Sequence, residues 1–316
     1  MEKQIDYEIL VVGGGPAGLT AAIYAKRAGR KVAVIEKFMP GGQLNLIGEI
    51  ENYTGFKSIR GDELAFKMHE QVANLKIPFI YDEIIDYNLD GEVKELIGRK
   101  KSYKAGAVIL ALGSNPRELA IEGESKFKGQ GVSYCALCDG NFFKGKSVAV
   151  VGSGDSAFSD AIYLSSICEK VFVLTKENLK LHNYAENQLD EIKNIELIRG
   201  GYSQKILGDK YVETLVYNKN NEEKKLKVNG VFVAIGRRPE TQALKAKIDL
   251  SSQGYIISND KMETSQKGVY VCGDVREGNI KQIATAVGDG AIAGSEASKY
   301  FLRNTLINYW QILCLW

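Results

Sequence analysis

The sequence ILVVGGGPAG (residues 9–18) decides the fold of this 316-residue chain. Its four leading apolar residues predict a buried β-strand, and the G-x-G-x-x-G pattern that begins at Gly13 predicts a tight turn into a helix. We expect the helix over residues 19–29 and the next strand over residues 31–35. Strand, helix and strand together form a β-α-β unit with a right-handed crossover.

The same pattern recurs in the second half of the chain. A strand is expected over residues 147–151, a G-x-G-x-x-A loop over residues 152–157, a helix over residues 158–168 and a strand over residues 170–174. One such loop is a weak signal, whereas two loops in the same strand–loop–helix context are a strong one. The sequence therefore predicts an α/β fold with two Rossmann-like, three-layer domains.

Two further apolar strands, at residues 107–112 and 230–235, indicate how the domains are connected. Each ends at a glycine and is followed closely by a proline, Pro116 or Pro239, a suitable place for an interdomain hinge. We therefore predict that the second domain is inserted in the first. The predicted limits are 1–114 with 243–316 for the first domain and 115–242 for the inserted one.

The first glycine loop has the features of a dinucleotide site. Gly13 makes the tight turn, Gly15 lets backbone N–H groups approach a pyrophosphate, and Gly18 lets the helix pack on the strand. The helix N-terminus adds free N–H donors and partial positive charge. Glu36 lies 23 positions after Gly13, where an acid accepts hydrogen bonds from ribose hydroxyls. Glu36 alone does not distinguish FAD from NAD.

A late apolar strand over residues 268–272 ends at Gly273 and Asp274. Ligands of parallel α/β sheets bind at the carboxyl ends of the strands. We therefore expect Asp274 to lie near whatever the first glycine loop holds.

A C-x-x-C pair, Cys135 and Cys138, is followed at once by Asp139. In a reducing compartment such a pair is typical of catalysis or metal binding rather than of a structural disulfide. No second C-x-x-C completes a zinc site, and His69 and His182 are distant in sequence, so no metal site is predicted. A dithiol beside a dinucleotide indicates that electrons pass from a cofactor into a disulfide. The remaining cysteines are expected to be small buried hydrophobes: Cys168, Cys272 and Cys314.

Several segments together resemble the low-molecular-weight thioredoxin reductase family, over nearly the whole chain from Tyr7 to about Tyr300. The segments that carry the resemblance are GGQL (41–44), ENYTGF (51–56), GVSYCALCDG (131–140), GD (273–274) and KQIA (281–284). The resemblance implies a homodimer that binds FAD tightly and reduces thioredoxin, with domains that swivel between the two reactions. It implies cofactor binding by Gly13, Gly15, Pro16, Ala17, Gly18, Glu36, Lys37, Gly41, Gly42, Gln43, Leu44, Asn52, Gly113, Gly273, Asp274, Lys281, Gln282, Ile283 and Ala284.

The resemblance also implies roles around the dithiol. Cys135 and Cys138 match the redox pair, and Asp139 matches the acid that protonates the flavin-side or leaving thiolate. This agrees with the chemistry of disulfide exchange, which needs a thiolate and a proton donor for the leaving sulfur. The alternative is that Asp139 is only a turn residue.

The second glycine loop lacks a residue that recognises a nicotinamide cofactor. Thr175 stands 23 positions after Gly152, where an NADH site has an acid and an NADPH site has arginines for the 2′-phosphate. NADPH-dependent members of the family carry His-Arg-Arg-x-x-x-Arg there, whereas residues 175–181 read TKENLKL. Lys176 keeps a positive charge, but Glu177 would repel a phosphate. The loss of arginine contacts to the phosphate and the gain of a negative charge are together expected to lower the affinity for NADPH by about 2–5 kcal/mol.

Two interpretations of the loop at residues 152–157 follow: a weak pyrophosphate site, or a turn kept only for helix packing. The pattern is similar to the ferredoxin-linked flavin thioredoxin reductases of anaerobic bacteria, which lack the NADPH-recognition residues. That similarity implies reduced ferredoxin as the electron donor. The alternatives are an NADPH-dependent thioredoxin reductase, a dithiol oxidase that passes electrons to oxygen, and a flavin-binding redox sensor.

The charge pattern bears on partners. A net charge of +2 is too small to indicate nucleic-acid binding. Two basic clusters could instead dock an acidic protein, either ferredoxin or thioredoxin, or could be ordinary solvated surface. We call them the dithiol cluster (Lys126, Lys128, Lys144, Lys146) and the hairpin cluster (Arg99, Lys100, Lys101, Lys104).

No apolar run approaches the roughly 20 residues that span a bilayer, and the charged start at residues 1–8 is not a secretory signal. We therefore expect a cytoplasmic protein without membrane partners. The tail at residues 305–316 is apolar and aromatic. It is expected to pack on a dimer partner or near the flavin, or else to be a non-native extension.

Overall fold

The computed structural model describes residues 5–176, 192–278 and 280–313. Within them the chain forms two compact units. The first contains residues 1–115 and 239–316, and the second contains residues 116–238. Both units combine parallel sheet with helices, so the predicted α/β class is confirmed.

The helices and strands have the following bounds. The helices are α1 (Pro16–Arg27), α2 (Gly61–Asn74), α3 (Ala136–Asp139), α4 (Asp155–Ser165) and α5 (Ile283–Leu313), with short 3-10 turns at Gly42–Leu46, Gly140–Phe143, Gln242–Leu244 and Gly273–Val275. The strands are β1 (Tyr7–Val12), β2 (Val32–Glu36), β3 (Glu49–Ile50), β4 (Ile59–Arg60), β5 (Phe79–Tyr81), β6 (Ile84–Asn88), β7 (Lys94–Gly98), β8 (Ser102–Leu110), β9 (Ser114–Pro116), β10 (Val132–Ser133), β11 (Ser147–Val151), β12 (Lys170–Thr175), β13 (Ile195–Arg199), β14 (Tyr202–Leu207), β15 (Thr214–Lys219), β16 (Glu222–Lys227), β17 (Gly230–Val233), β18 (Arg237–Pro239) and β19 (Val269–Val271).

The main sheet of the first unit has the order β5-β2-β1-β8-β7-β6, and β19 also pairs with β8. Strands β1, β2, β5, β8 and β19 are parallel, whereas β6 and β7 add an antiparallel edge. Because β1 lies between β2 and β8, its residues Ile9 to Val12 are fully or almost fully buried. Their continuous apolar run is typical of a parallel strand covered on both faces.

The main sheet of the second unit repeats this arrangement in the order β10-β17-β11-β12-β13, with all strands parallel. Here β11 takes the place of β1, with β12 on one side and β17 on the other. A separate antiparallel sheet, β14-β15-β16, belongs to the same unit. The internal repeat predicted from the two glycine loops is therefore present in the strand order.

Helices α1 and α5 approach each other closely in the first unit. A Cβ atom added at Gly290 would collide with the carbonyl oxygen of Ala17, and one added at Gly294 would collide with that of Ala21. Glycine at these positions lets the start of α5 lie beside the start of α1, where the first glycine loop ends. In the part of the chain that the structure describes, no helix is long and apolar enough to span a membrane.

The predicted apolar tail falls mostly beyond what the structure describes. The backbone of α5 continues to Leu313, but residues 314–316 and the side chains from position 305 onward lie outside the description. The packing predicted for this tail stays a prediction.

Candidate functional site

The first glycine loop makes the tight turn expected from its sequence. Gly13 has φ +108°, and a Cβ atom there would collide with the carbonyl oxygen of Ala111 on the chain leaving β8. A Cβ atom at Gly18 would collide with the carbonyl oxygen of Gly13. Both positions therefore require glycine for packing alone, whatever the loop binds.

Gly15 differs, because nothing in the protein crowds it. It caps the N-terminus of α1 with φ −77° and ψ −179°, a conformation open to any residue. No atom lies within 4 Å of a Cβ atom built there. Pro16 occupies the first turn of α1, where its missing N–H costs no hydrogen bond. The loop thus leaves an open space at a helix N-terminus, which is where a pyrophosphate binds.

The segment at Gly41 and Gly42 packs directly on this loop. The backbone N–H of Gly41 donates to the carbonyl oxygen of Gly14 at 2.7 Å. A Cβ atom at Gly42 would lie 3.3 Å from the Cα atom of Gly15. Sequence positions more than 25 residues apart therefore meet at the open space beside Gly15.

Glu36 ends β2 and faces the same loop. Its carboxylate accepts the backbone N–H of Gly14 at 2.7 Å and that of Phe38 at 2.9 Å. Each carboxylate oxygen has a further lone pair, so the group can still accept a ribose hydroxyl. Lys37 pairs instead with Glu240 at 3.7 Å, so its side chain has a partner within the protein.

The strand end at Gly273 reaches the same helix N-terminus. A Cβ atom at Gly273 would lie 2.8 Å from the Cβ atom of Ala17. The backbone N–H of Gly273 donates to the Asp289 carboxylate at 3.2 Å, and the Arg276 Nε atom donates to that carboxylate at 3.1 Å. Asp274 follows directly and lies within the 3-10 turn Gly273–Val275. Asp289 and Arg276 were not among the residues predicted from the sequence.

Three other predicted positions lie near the carboxyl end of β8 or in the adjoining core. The side-chain amide of Gln43 donates to the carbonyl oxygen of Ser114. Gly113, next to it, has φ +70° and no atom within 4 Å of an added Cβ atom. Leu44 is 2% exposed and belongs to a small core cluster against which Ile283 packs.

The last predicted positions belong to the segment that leads into α5. The side chain of Asn52 donates to Gln282 at 3.1 Å, which joins two segments 230 positions apart. The Lys281 ammonium group donates to the carbonyl oxygen of Arg276 at 2.9 Å. Ala284 is exposed in the first turn of α5.

These residues fit a bound dinucleotide. The open spaces at Gly15 and Gly113 are both places where an added Cβ atom meets no protein atom. Free N–H groups at the start of α1 suit a pyrophosphate, and the Glu36 carboxylate suits a ribose. Each of these features belongs to the first unit.

The two cysteines of the C-x-x-C motif form a disulfide in the second unit, with Cα atoms 5.3 Å apart. Cys135 caps the short helix α3, and its sulfur accepts the backbone N–H of Cys138 at 3.2 Å. Both cysteines are partly buried, and Leu137 between them is 46% exposed. The remaining described cysteines, Cys168 and Cys272, are buried as predicted, and Cys314 lies outside the described residues.

Asp139 lies partly buried at the end of α3. Burial raises the pKa of its carboxyl group above the usual range, and a hydrogen bond from Ser133 opposes that rise. The Ser133 hydroxyl donates to the Asp139 carboxylate at 2.6 Å. A carboxyl group with a raised pKa, four residues from a disulfide cysteine, can hold and release a proton during disulfide exchange.

The second glycine loop keeps part of the geometry of the first. A Cβ atom at Gly152 would collide with the carbonyl oxygen of Ala234 and would lie 2.7 Å from the Cβ atom of Ala157. Gly154 caps α4 with φ −122° and ψ 175°, and no atom lies within 4 Å of an added Cβ atom. The second loop therefore leaves the same open space at its helix N-terminus, but Gly152 lacks the positive φ that Gly13 has.

The side chains around this second loop differ from those of the first. Thr175, in the place of Glu36, is fully buried, and its hydroxyl donates to the carbonyl oxygen of Lys176 at 3.1 Å. The backbone N–H of Lys176 donates to the Ser153 hydroxyl at 3.0 Å. Of the described residues at this strand end, Thr175 and Lys176, neither offers a ribose a carboxylate. The predicted recognition segment at residues 177–181 lies outside the described residues.

Both basic clusters are exposed, and in each of them one basic residue pairs with an acid. In the hairpin cluster, Arg99 pairs with Glu83, and the Lys100 ammonium group donates to the carbonyl oxygen of Tyr81 at 2.5 Å. In the dithiol cluster, Lys128 lies 3.7 Å from Glu118. Lys126 and Lys146 donate to the backbone carbonyl oxygens of Gly208 and Phe142, at 3.4 and 3.2 Å, and so keep their charges uncompensated by these contacts.

Comparisons with known proteins agree with this site. The family model of the pyridine nucleotide-disulphide oxidoreductases matches residues 7–290. The thioredoxin reductase of Bacillus subtilis is 37% identical over 313 residues, which cover 97% of this chain and 99% of that protein. The crystal structure of thioredoxin reductase from Streptococcus pyogenes has a TM-score of 0.90 at 38% identity, covering 94% of this chain and 98% of that one.

A third relative is a ferredoxin-flavin thioredoxin reductase from Clostridium acetobutylicum. Its crystal structure has a TM-score of 0.53 at 34% identity and covers 94% of this chain and 98% of that one. With a family match over most of the chain, relatives matched along nearly their full length and a C-x-x-C disulfide in place, the chain belongs to the low-molecular-weight thioredoxin reductases, a family of FAD-containing flavoproteins.

Proposed function

We propose that this protein is a thioredoxin reductase whose electron donor is reduced ferredoxin, acting as a homodimer. The observation that carries the reduction of thioredoxin is the disulfide Cys135–Cys138 with the protonatable Asp139 directly after it. The observation that carries the choice of donor is the buried Thr175, which stands where a nicotinamide site needs an acid or an arginine.

FAD is proposed to bind in the first unit, within residues 1–114 and 243–316, and the redox pair belongs to residues 115–242. The first glycine loop would hold the pyrophosphate, and Glu36 the ribose of the adenosine half. The segments at residues 41–44 and 273–274, which pack on that loop, would complete the site together with Gly113 and residues 281–284. The open spaces at Gly15 and Gly113 support this assignment.

When it is bound and has been reduced by the donor, FAD would supply the electron pair that reduces the Cys135–Cys138 disulfide to two thiols. In the exchange that follows, one cysteine thiolate attacks the thioredoxin disulfide, so one S–S bond forms while another breaks. The second cysteine then attacks the mixed disulfide, which restores the Cys135–Cys138 bond. Two electrons and two protons leave the cysteines and reach thioredoxin. Asp139 takes one proton from a cysteine thiol and delivers it to the leaving thiolate.

The first prediction concerns the donor. Anaerobic addition of micromolar NADPH or NADH to the FAD-loaded enzyme is expected to leave the flavin absorbance unchanged over minutes, because Thr175 offers the nucleotide ribose no carboxylate. Reduced ferredoxin is expected to bleach the same sample. Dithionite provides the control that the flavin is competent. Bleaching within seconds of adding either nucleotide would contradict a ferredoxin-specific enzyme.

A second candidate function is an NADPH-dependent thioredoxin reductase. The open space at Gly154 favours it, because the loop could still admit a pyrophosphate. Lys176, which is exposed, would then contact the 2′-phosphate. The titration described above separates the two candidates, since only this one requires rapid bleaching by NADPH.

The second prediction concerns docking of ferredoxin, an acidic protein that needs a basic surface. Turnover driven by ferredoxin is expected to fall steeply with salt, because the Debye length drops from ~10 Å at 0.1 M to ~3 Å at 1 M. Charge reversal at Lys126 and Lys128 is expected to mimic that fall through a slower association rate. The same reversal in the hairpin cluster, at Lys100 and Lys101, tests the other candidate surface.

Lys261→Glu is the matched control, since it reverses one exposed lysine outside both clusters. Varying ferredoxin and thioredoxin concentrations separately shows which partner each cluster docks. If the turnover rate changed neither with salt nor with the two charge reversals, the lysines would be ordinary solvated surface.

A further inference from the structure

Ser133 stands between the disulfide and the acid. It ends β10, is 5% exposed, and has its hydroxyl oxygen 2.6 Å from the Asp139 carboxylate. The backbone N–H of Cys135 donates to the same oxygen at 3.1 Å, and the carbonyl oxygen of Cys135 lies 3.3 Å from it. One side chain thus touches both the backbone of a redox cysteine and the carboxyl group.

The hydroxyl of serine carries one proton and two lone pairs. The shortest contact is to Asp139, and a hydrogen bond to a charged acceptor is stronger than one to a neutral carbonyl. The proton therefore points to Asp139, and a lone pair accepts the Cys135 N–H. The result is a chain of polarised hydrogen bonds that ends on the carboxylate and favours its charged form.

Other groups near Asp139 do not replace this contact. Helix α4 packs on the end of α3, since a Cβ atom at Gly140 would lie 2.9 Å from the Tyr163 ring. The titratable side chains described on α4 are Asp160 and Tyr163, and neither is a cause of the Asp139 shift. The neighbouring strand β17 contributes buried apolar residues beside β10. Within the described residues, Ser133 is the side chain that hydrogen-bonds Asp139.

We propose that Ser133 is a positioning residue that holds the Asp139 carboxyl group in place and sets the pH at which it exchanges its proton with the dithiol. This rests on the proposed role of Asp139 as the proton carrier. The step itself is unchanged: a cysteine thiol gives a proton to the Asp139 carboxylate, and the carboxylic acid returns it to the leaving thiolate. Ser133 keeps its own proton throughout.

In the test, holoenzyme reduced with dithionite is mixed rapidly with oxidised thioredoxin at a series of pH values. The rate of thioredoxin reduction plotted against pH gives the pH profile. In the Asp139→Asn variant, one limb of the pH profile is expected to disappear, which assigns that limb to Asp139. In Ser133→Ala the same limb is expected to move to higher pH by roughly one unit, because the charged carboxylate loses a stabilising hydrogen bond. Ser133→Thr keeps a hydroxyl and is expected to leave the limb in place.

Ser165→Ala is the matched control, because that hydroxyl donates to the carbonyl oxygen of Ile162 within its own helix α4. A Ser133→Ala variant that is slower at every pH, with the Asp139 limb unmoved, would overturn the inference and leave Ser133 a structural residue. The profile is repeated with cystamine, a small disulfide. An enzyme that reduces cystamine but not thioredoxin would refute the proposed partner, while the position of the limb still tests Ser133.

Discussion

With serine in place of Cys135 or Cys138, the rate of thioredoxin reduction is expected to fall to the rate seen without enzyme. Neither variant can form the disulfide that joins these residues, and a serine hydroxyl does not take part in disulfide exchange. FAD is expected to remain bound, because the residues proposed to hold it lie in the other unit. The measurements are thioredoxin-dependent turnover and the flavin absorbance of the purified protein.

Cys168→Ala provides the matched control in the same unit. Cys168 is 6% exposed and takes no part in the disulfide, so its loss is expected to lower stability by about 1–2 kcal/mol without abolishing turnover. Near-normal turnover in either serine variant would place the redox centre elsewhere. Loss of flavin from the serine variants would instead show that the two functions are not separated between the units.

Much of the fold could be predicted from the sequence because the glycine loops act locally. Gly13 and Gly152 both lie where a strand turns into a helix, and in each case backbone crowding allows no side chain. The limits of the helices were less accurate. After the second glycine loop, the apolar pattern predicts a helix from residue 158, but α4 begins at Asp155 because Gly154 is its N-cap. The N-cap, not the apolar pattern, sets where the helix begins.

The residues that tune the site could not be predicted in the same way. Asp289 accepts hydrogen bonds from Gly273 and Arg276 across a helix and a turn, a contact that no short spacing reveals. Ser133 is only two positions from Cys135, yet its hydrogen bond to Asp139 depends on the chain folding back through α3. Such contacts arise from the tertiary fold, and a serine or aspartate in a turn has many other uses.

Gly15→Ala is expected to yield a folded protein without FAD, and therefore without activity. The backbone of Gly15 is extended, so alanine is tolerated, and no protein atom lies within 4 Å of a Cβ atom built there. The added methyl group would occupy the space proposed for the pyrophosphate and keep the N–H groups of α1 from reaching it. The measurements are flavin content after purification and the circular dichroism of the apoprotein.

Gly154→Ala is the counterpart in the second loop, with the same extended backbone and the same open space. It is expected to retain FAD and to reduce thioredoxin at the original rate with ferredoxin as donor, because the second loop is proposed to hold no nucleotide. If the unmodified enzyme turned over with NADPH and Gly154→Ala lost that NADPH-driven turnover while keeping its flavin, the second loop would be a working nucleotide site and NADPH would become the preferred donor. If Gly15→Ala kept its flavin, the first loop would not be the pyrophosphate site. The pair of variants thus tests, with one methyl group in each, whether two glycine loops with extended, uncrowded N-cap glycines have different functions.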